Sequence, residues 1–177
     1  MKRNLIVTVV CPDRPGIVDC LTGIICRFGG NWEESRMARL GGDFAGIVKV
    51  SVSEGNAEAL AHALIDETKG EMSVSIKSTA GKKDGTPAGS STCTVRASGA
   101  DHEGIVHNVT HYLAAAGANV VSMETGVTHA PVTGSPLFHM EAGVALPPGL
   151  RIDEVKANLE RICRDQGVEV EIAPGRF

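Results

Sequence analysis

The chain has 177 residues, 42% of them apolar, which is enough for one medium or two small packed domains and excludes wholesale disorder. Its formal charge of −4 and mixed charge pattern argue against a protein that coats nucleic acid, which needs a basic patch to displace counterions. With only 3% aromatic residues, base-stacking platforms are also poorly supplied.

The N-terminus, Met1-Lys2-Arg3-Asn4, carries two basic residues but no signal-peptide core, because the apolar run Leu5 to Val10 is short and Asp13 and Arg14 follow it. No apolar stretch approaches membrane-spanning length. Cys11, Cys20, Cys26, Cys93 and Cys163 form no Cys-x-x-Cys pair and read as reduced thiols of a cytoplasmic protein. Cys11, just before a turn, is either a redox sensor or a buried bystander.

Leu5 to Val10 is apolar at every position except Thr8, which suits a central strand covered on both faces. It runs into Asp13-Arg14-Pro15-Gly16-Ile17-Val18. Pro15 fixes its own φ and favours the first turn of a helix, Asp13 is placed to cap that helix, and Gly16 admits close approach. The stretch reads either as a well-made helix cap or as a turn whose free N–H groups hold a small carboxylate. A helix over 17–28 follows, because at about 100° per residue Ile17, Leu21, Ile24, Ile25 and Phe28 form one stripe. Trp32 to Leu40 and Ile47 to Val52 read as strands joined through Gly41-Gly42-Asp43. Asn56 is expected to cap a second helix with Leu60, Leu64 and Ile65 as its stripe and Gly70 at its end. Met72 to Ile76 alternates as a half-buried edge strand does.

The same order then returns. Asp101-His102-Glu103-Gly104-Ile105-Val106 repeats the turn 88 positions later (13 to 101), and Asn119 repeats Asn31. Cys93 to Ala97, 119–128, Leu137 to Leu146 and Val168 to Ile172 are the expected strands of the second copy. Helices are expected over 105–116 and 153–166, the first with Ile105, Val109, Tyr112, Leu113 and Ala116 as its stripe. Thr79 to Ser91, rich in Gly, Ser and Lys, reads as a linker. Residues 1–78 and 92–177 are therefore two domains joined by 79–91. Each is an α+β unit of the ferredoxin-like βαββαβ plan, an antiparallel four-stranded sheet with both helices on one face.

Motifs for catalysis are missing: there is no Gly-x-Ser-x-Gly elbow, Walker loop, His-Glu-x-x-His or Gly-x-Gly-x-x-Gly after a strand. His107 and His111 have metal-ligand spacing but lie opposite the apolar stripe, so they read as a surface pair or an adventitious zinc site. Glu33 and Glu34, adjacent on a strand, are expected on opposite faces, as are Arg36 and Arg39. Each arginine reads as a solvated side chain or as a reader of carboxylates. Trp32 reads as core packing or as an interface anchor. Asn31 and Asn119 each begin a second strand, near the first turn of their own or a paired unit. Either is a turn residue tolerating left-handed backbone or an amide that reads both ends of an amino acid.

Asp13 to Val18 followed by Gly30-Asn31 resembles the ACT domain, a βαββαβ regulatory module that binds amino acids, and two tandem copies cover nearly the whole chain. Asn31-Trp32-Glu33-Glu34-Ser35-Arg36-Met37-Ala38-Arg39-Leu40-Gly41-Gly42-Asp43-Phe44 is similar to the first domain of the glycine cleavage system transcriptional repressor family. Ala118 to Val121, a long polar connection and Leu137 to Met140 resemble its second. The resemblance implies a cytoplasmic, non-enzymatic regulator without cofactor, with glycine or a similar amino acid as effector. It further implies action through a transcription-activator protein rather than on nucleic acid or membrane, and a homodimer. It assigns ligand binding to Asp13, Arg14, Pro15, Gly16, Ile17, Val18 and Asn31, and in the second copy to Asp101, Gly104, Ile105, Val106 and Asn119. His102 and Glu103 replace Arg14 and Pro15, so the second turn differs in charge and stiffness. A ligand-independent dimerisation or scaffold module and a component of amino-acid metabolism are the other readings.

Overall fold

The computed structural model describes residues 1–79 and 90–175. The chain divides into two units, Met1–Asp84 and Gly85–Phe177. The first holds β1 (Lys2–Pro12), α1 (Ile17–Arg27), β2 (Asn31–Leu40), β3 (Asp43–Ser53), α2 (Ala57–Glu67) and β4 (Ser73–Thr79). The second holds β5 (Ser91–Ala100), α3 (Ile105–Ala115), β6 (Asn119–His129), β7 (Pro136–Leu146), α4 (Ile152–Arg164) and β8 (Val168–Pro174). Both are four-stranded antiparallel sheets, ordered β2-β3-β1-β4 and β6-β7-β5-β8. The expected βαββαβ plan is thus present twice. Most of the expected linker lies outside the described residues; its flanks, Thr79 and Ser91, are strand residues.

Each unit has its own core. In the first, Leu5, Val7 and Val9 of β1 and Val48, Val50 and Val52 of β3 pack on Ile17, Leu21, Ile24 and Ile25 of α1 and Ala57, Leu60 and Leu64 of α2. The alternation is the pleat: odd residues of β1 face the helices and even ones face away. Val10 is accordingly 50% exposed, so β1 is central but covered on one face only, contrary to the reading from its apolar run. In the second, Val95, Ala97, Phe138, Met140 and Val144 meet Ile105, Val109 and Leu113 of α3 and Val155, Leu159 and Cys163 of α4.

Three expectations are corrected by packing. β3 begins at Asp43, not Ile47, because Gly41 and Gly42 both have positive φ and make a two-residue hairpin turn that pairs Leu40 with Asp43 at once. Gly46 belongs to that strand although it lacks a side chain, since Met37 from β2 occupies the space a Cβ would need, 2.6 Å away. Ile65 is 43% exposed while Leu60 and Leu64 are buried, so α2 presents a narrower stripe than its sequence suggests. Asn56 does precede α2, but its Nδ2 donates to the Phe28 carbonyl at 2.9 Å, tying the end of α1 to the start of α2 instead of capping its own helix.

All five cysteines are free. Cys11, Cys93 and Cys163 are buried, and desolvation pushes each thiol up, with Arg14 opposing the effect at Cys11. A raised thiol is a poor nucleophile, so Cys11 does not have the exposed, low-pKa character of a redox sensor. In the folded protein Ellman's reagent is expected to modify Cys26 quickly, half-buried Cys20 slowly and the other three only after denaturant is added. A third thiol reacting under native conditions would contradict this packing.

Candidate functional site

The β1–α1 turn is built from one glycine. Gly16 takes φ 91° and ψ −1°, a left-handed conformation, and the chain enters α1 directly after it. Its carbonyl accepts from the Cys20 N–H at 2.9 Å, the first bond of the helix. The amides of Ile17, Val18 and Asp19 precede that bond, and no side chain caps the helix. Asp13 therefore does not cap α1 as its position suggests. Its N–H donates to the Gly42 carbonyl at 2.9 Å, and its carboxylate lies 3.5 Å from Arg39 Nη1. The turn is thus pinned to the β2–β3 hairpin, and Arg39 joins it. Its sequence position makes Arg39 either a solvated strand residue or a reader of carboxylates; the hairpin register is what brings it beside the Asp13 carboxylate. Arg36 instead lies 3.7 Å from Glu34.

The second turn repeats this geometry with different chemistry. Gly104 has φ 94° and ψ −7°, its carbonyl accepts from the Asn108 N–H at 3.0 Å, and the Asp101 N–H reaches the Pro136 carbonyl at 3.1 Å. Ile105 and Val106 open an uncapped helix as Ile17 and Val18 do. Arg14 pairs with Glu71 just before β4, whereas His102 bridges the Glu103 and Gln166 carbonyls at 3.0 Å each, Gln166 standing just before β8. Both residues tie the turn to the start of the last strand. The Arg14 pair is largely exposed and is worth less than about 1 kcal/mol.

Asn31 and Asn119 do not lie beside the turns of their own units. Asn31 pairs with Ser51 at one end of the sheet, while Pro12 pairs with Asp43 at the other. Eight residue steps along β3, from Ser51 to Asp43, separate them, about 27 Å. Asn119, opposite Ala145, is equally far from Ala100, opposite Leu137. An antiparallel strand must begin where its neighbour ends, and α1 carries the chain back along the sheet before β2 starts.

Glu33 and Glu34 share one face. A β-bulge between Trp32 and Glu34 leaves Glu33 without a ladder partner, and the second copy has its bulge at the matching place, between Val120 and Ser122. Glu33 reaches Lys49 Nζ at 3.6 Å. Its carboxyl is held below the usual range, first by the Ser51 hydroxyl and then by Lys49 and Lys2, against an opposing desolvation. Trp32 is half-buried against the first core, as packing predicts. The His107 and His111 rings stack 5.7 Å apart, and among the described residues no group of three His, Cys, Asp or Glu side chains gathers to hold a metal. Strand alternation also places Arg96, Glu124, His139, Glu141, Glu169 and Glu171 around an open recess of about 450 Å³ on the second sheet, a cluster the motif reading passed over. Among the described residues no helix is long and apolar enough to cross a membrane.

Residues 3–77 match the family model of the ACT domain. No curated protein sequence matches the chain. An unknown protein from Galdieria sulphuraria is similar in structure over 99% of this chain and 100% of its own, with 33% identity and a TM-score of 0.88. A protein named as a proposed glycine cleavage system transcriptional repressor is similar over 99% of each chain, with 18% identity and a TM-score of 0.68. The two units and their repeated glycine turn define a tandem ACT-fold protein. The chain belongs to one family with the Galdieria protein; its first unit is an ACT domain by sequence, and its second has the same fold.

Proposed function

We propose that this protein is a non-enzymatic, amino-acid-responsive negative regulator of glycine cleavage system transcription, with glycine as effector and a transcription-activator protein as its direct partner. The observation that carries the sensing half is the first turn. Gly16 leaves open space where a side chain would stand, and three helix-start amides beside it are free of any side-chain cap. Such amides and the helix dipole favour a carboxylate. The overall fold likeness to the proposed repressor supports the regulatory half, and the acidic composition is in keeping with action through protein.

Asn31 joins this site only from another copy. β2 is an edge strand. Two such edges paired antiparallel about a twofold axis set the Asn31 end of one beside the Leu40 end of the other, which is where the turn stands. A homodimer of this kind completes a site that one unit leaves open. Asn119, Asp101 and Gly104 to Val106 form the corresponding second set, with His102 already committed to the Gln166 carbonyl.

A thermal-shift screen against the twenty common amino acids tests the reading. Glycine at a hundred times its dissociation constant is expected to add about 2.7 kcal/mol of stability. No response to any amino acid removes the sensing claim. Capture of an activator that is indifferent to glycine favours the ligand-independent scaffold instead.

A further inference from the structure

The bulge in β2 assembles a group of side chains of which only Asn31 is shared with the turn site, and there only through a second copy. Glu33 stands outside the ladder, between the pairs Trp32–Val50 and Glu34–Lys49. Lys49 and Ser51 are two residues apart on β3 and so share a face, and Asn31 lies directly opposite Ser51. Glu33 Oε2 and Lys49 Nζ are 3.6 Å apart, too long for a good hydrogen bond, and both side chains are about one-third exposed. Ser51 is 2% exposed, and its Oγ, beside the Glu33 carboxyl, makes no hydrogen bond of good geometry. A buried hydroxyl left in that state is costly unless something else satisfies it.

The copies of this group diverge together. Across the matching bulge, the second unit has Val121 for Glu33, Gly143 for Lys49 and Ala145 for Ser51, while Asn119 keeps the place of Asn31. Every polar side chain of the group except the asparagine is absent there. A sheet surface that only needed to be soluble gives no reason for an opposed charge pair with a hydroxyl beside it in one copy and three apolar residues in the other.

We propose that Glu33, Lys49, Ser51 and Asn31 form a binding site on the first unit for the zwitterionic head of a small α-amino acid. The ligand's ammonium donates to Glu33, and its carboxylate accepts from Lys49 and from the Ser51 hydroxyl. The loosely held Glu33–Lys49 pair parts to admit it, and the Ser51 hydroxyl, poorly aligned on Glu33, gains a well-formed hydrogen bond. The Asn31 amide, exposed at the rim, can serve either charge. The site lies at the opposite end of the sheet from Gly16 in its own unit. The inference rests on the reading that this chain senses amino acids and adds where one of them sits.

Two-dimensional amide NMR of the full chain, titrated with glycine, tests it, with acetate and methylammonium as single-charge controls. Shifts at Glu33 to Arg36 and Lys49 to Ser51 with glycine, and weaker ones with either control, are expected. Glu33→Gln and Lys49→Met alter surface side chains, so each is expected to melt as the parent does while losing at least about tenfold in glycine affinity, the scale of a charged hydrogen bond. Shifts confined to Asp13 to Asp19 overturn this site and leave the turn reading standing. An absence of shifts up to the solubility limit of glycine overturns both.

Discussion

Gly16→Val is expected to cost the first unit about 2 kcal/mol and to abolish the part of the glycine response that passes through the turn. The cause is conformational: φ is 91°, and a Cβ at this position meets nothing within 4 Å. A β-branched residue is therefore strained by its own backbone, not by a neighbour. In a unit spanning Met1–Asp84 the loss corresponds to a drop in melting temperature of roughly 10 °C. Gly104→Val, at φ 94°, should cost the second unit a similar amount while leaving the first turn untouched. Gly23→Ala gives a control of opposite sign. Gly23 lies inside α1 with open space around it, so alanine should stabilise by up to about 1 kcal/mol. A Gly16→Val protein that melts low yet responds fully to glycine shows that the turn is scaffold and not site.

Leu60→Ala is expected to destabilise by about 2–5 kcal/mol, because Leu60 is fully buried and its removal leaves a cavity between α2 and the sheet. Ile65→Ala on the same helix is expected to cost under about 1 kcal/mol, since Ile65 is 43% exposed and little transfer energy is lost. Denaturant titration of both variants separates them. Equal costs would mean that the wider stripe read from the sequence, not the observed packing, describes α2.

The repeat made the architecture legible. Asp-x-x-Gly-Ile-Val at two places 88 residues apart (13 to 101) set the two helix starts, and the strand and helix periods between them gave the order of elements. What misled the reading were positions whose partners are distant in sequence. Asp13 has the chemistry of a helix cap, but its carboxylate is drawn to Arg39 across the hairpin. Asn56 has it too, and spends its amide on Phe28 of the other helix. Capping preference is a local bias of about 1 kcal/mol, small enough for one tertiary hydrogen bond to redirect. Glu33 and Glu34 were set on opposite faces by the period of two, and the bulge broke that period by a single residue.

The candidate site divides the same way. The glycine turn was visible as a motif in both its copies, because a left-handed residue before a helix is a local demand that only glycine meets cheaply. The group around Ser51 was invisible, because it depends on which residues of β2 and β3 stand opposite one another. By itself the sequence determined the fold class, the duplication, the helix-facing residues of most elements and the place of the glycine turns, all of which follow from short-range periodicity and backbone sterics. The tertiary structure alone decided that Asn31 stands at the far end of the sheet from Asp13, that Arg39 joins the turn, and that Glu33, Lys49 and Ser51 meet. Register and bulge position are set by the balance of packing across the whole sheet, and no window of sequence contains that balance.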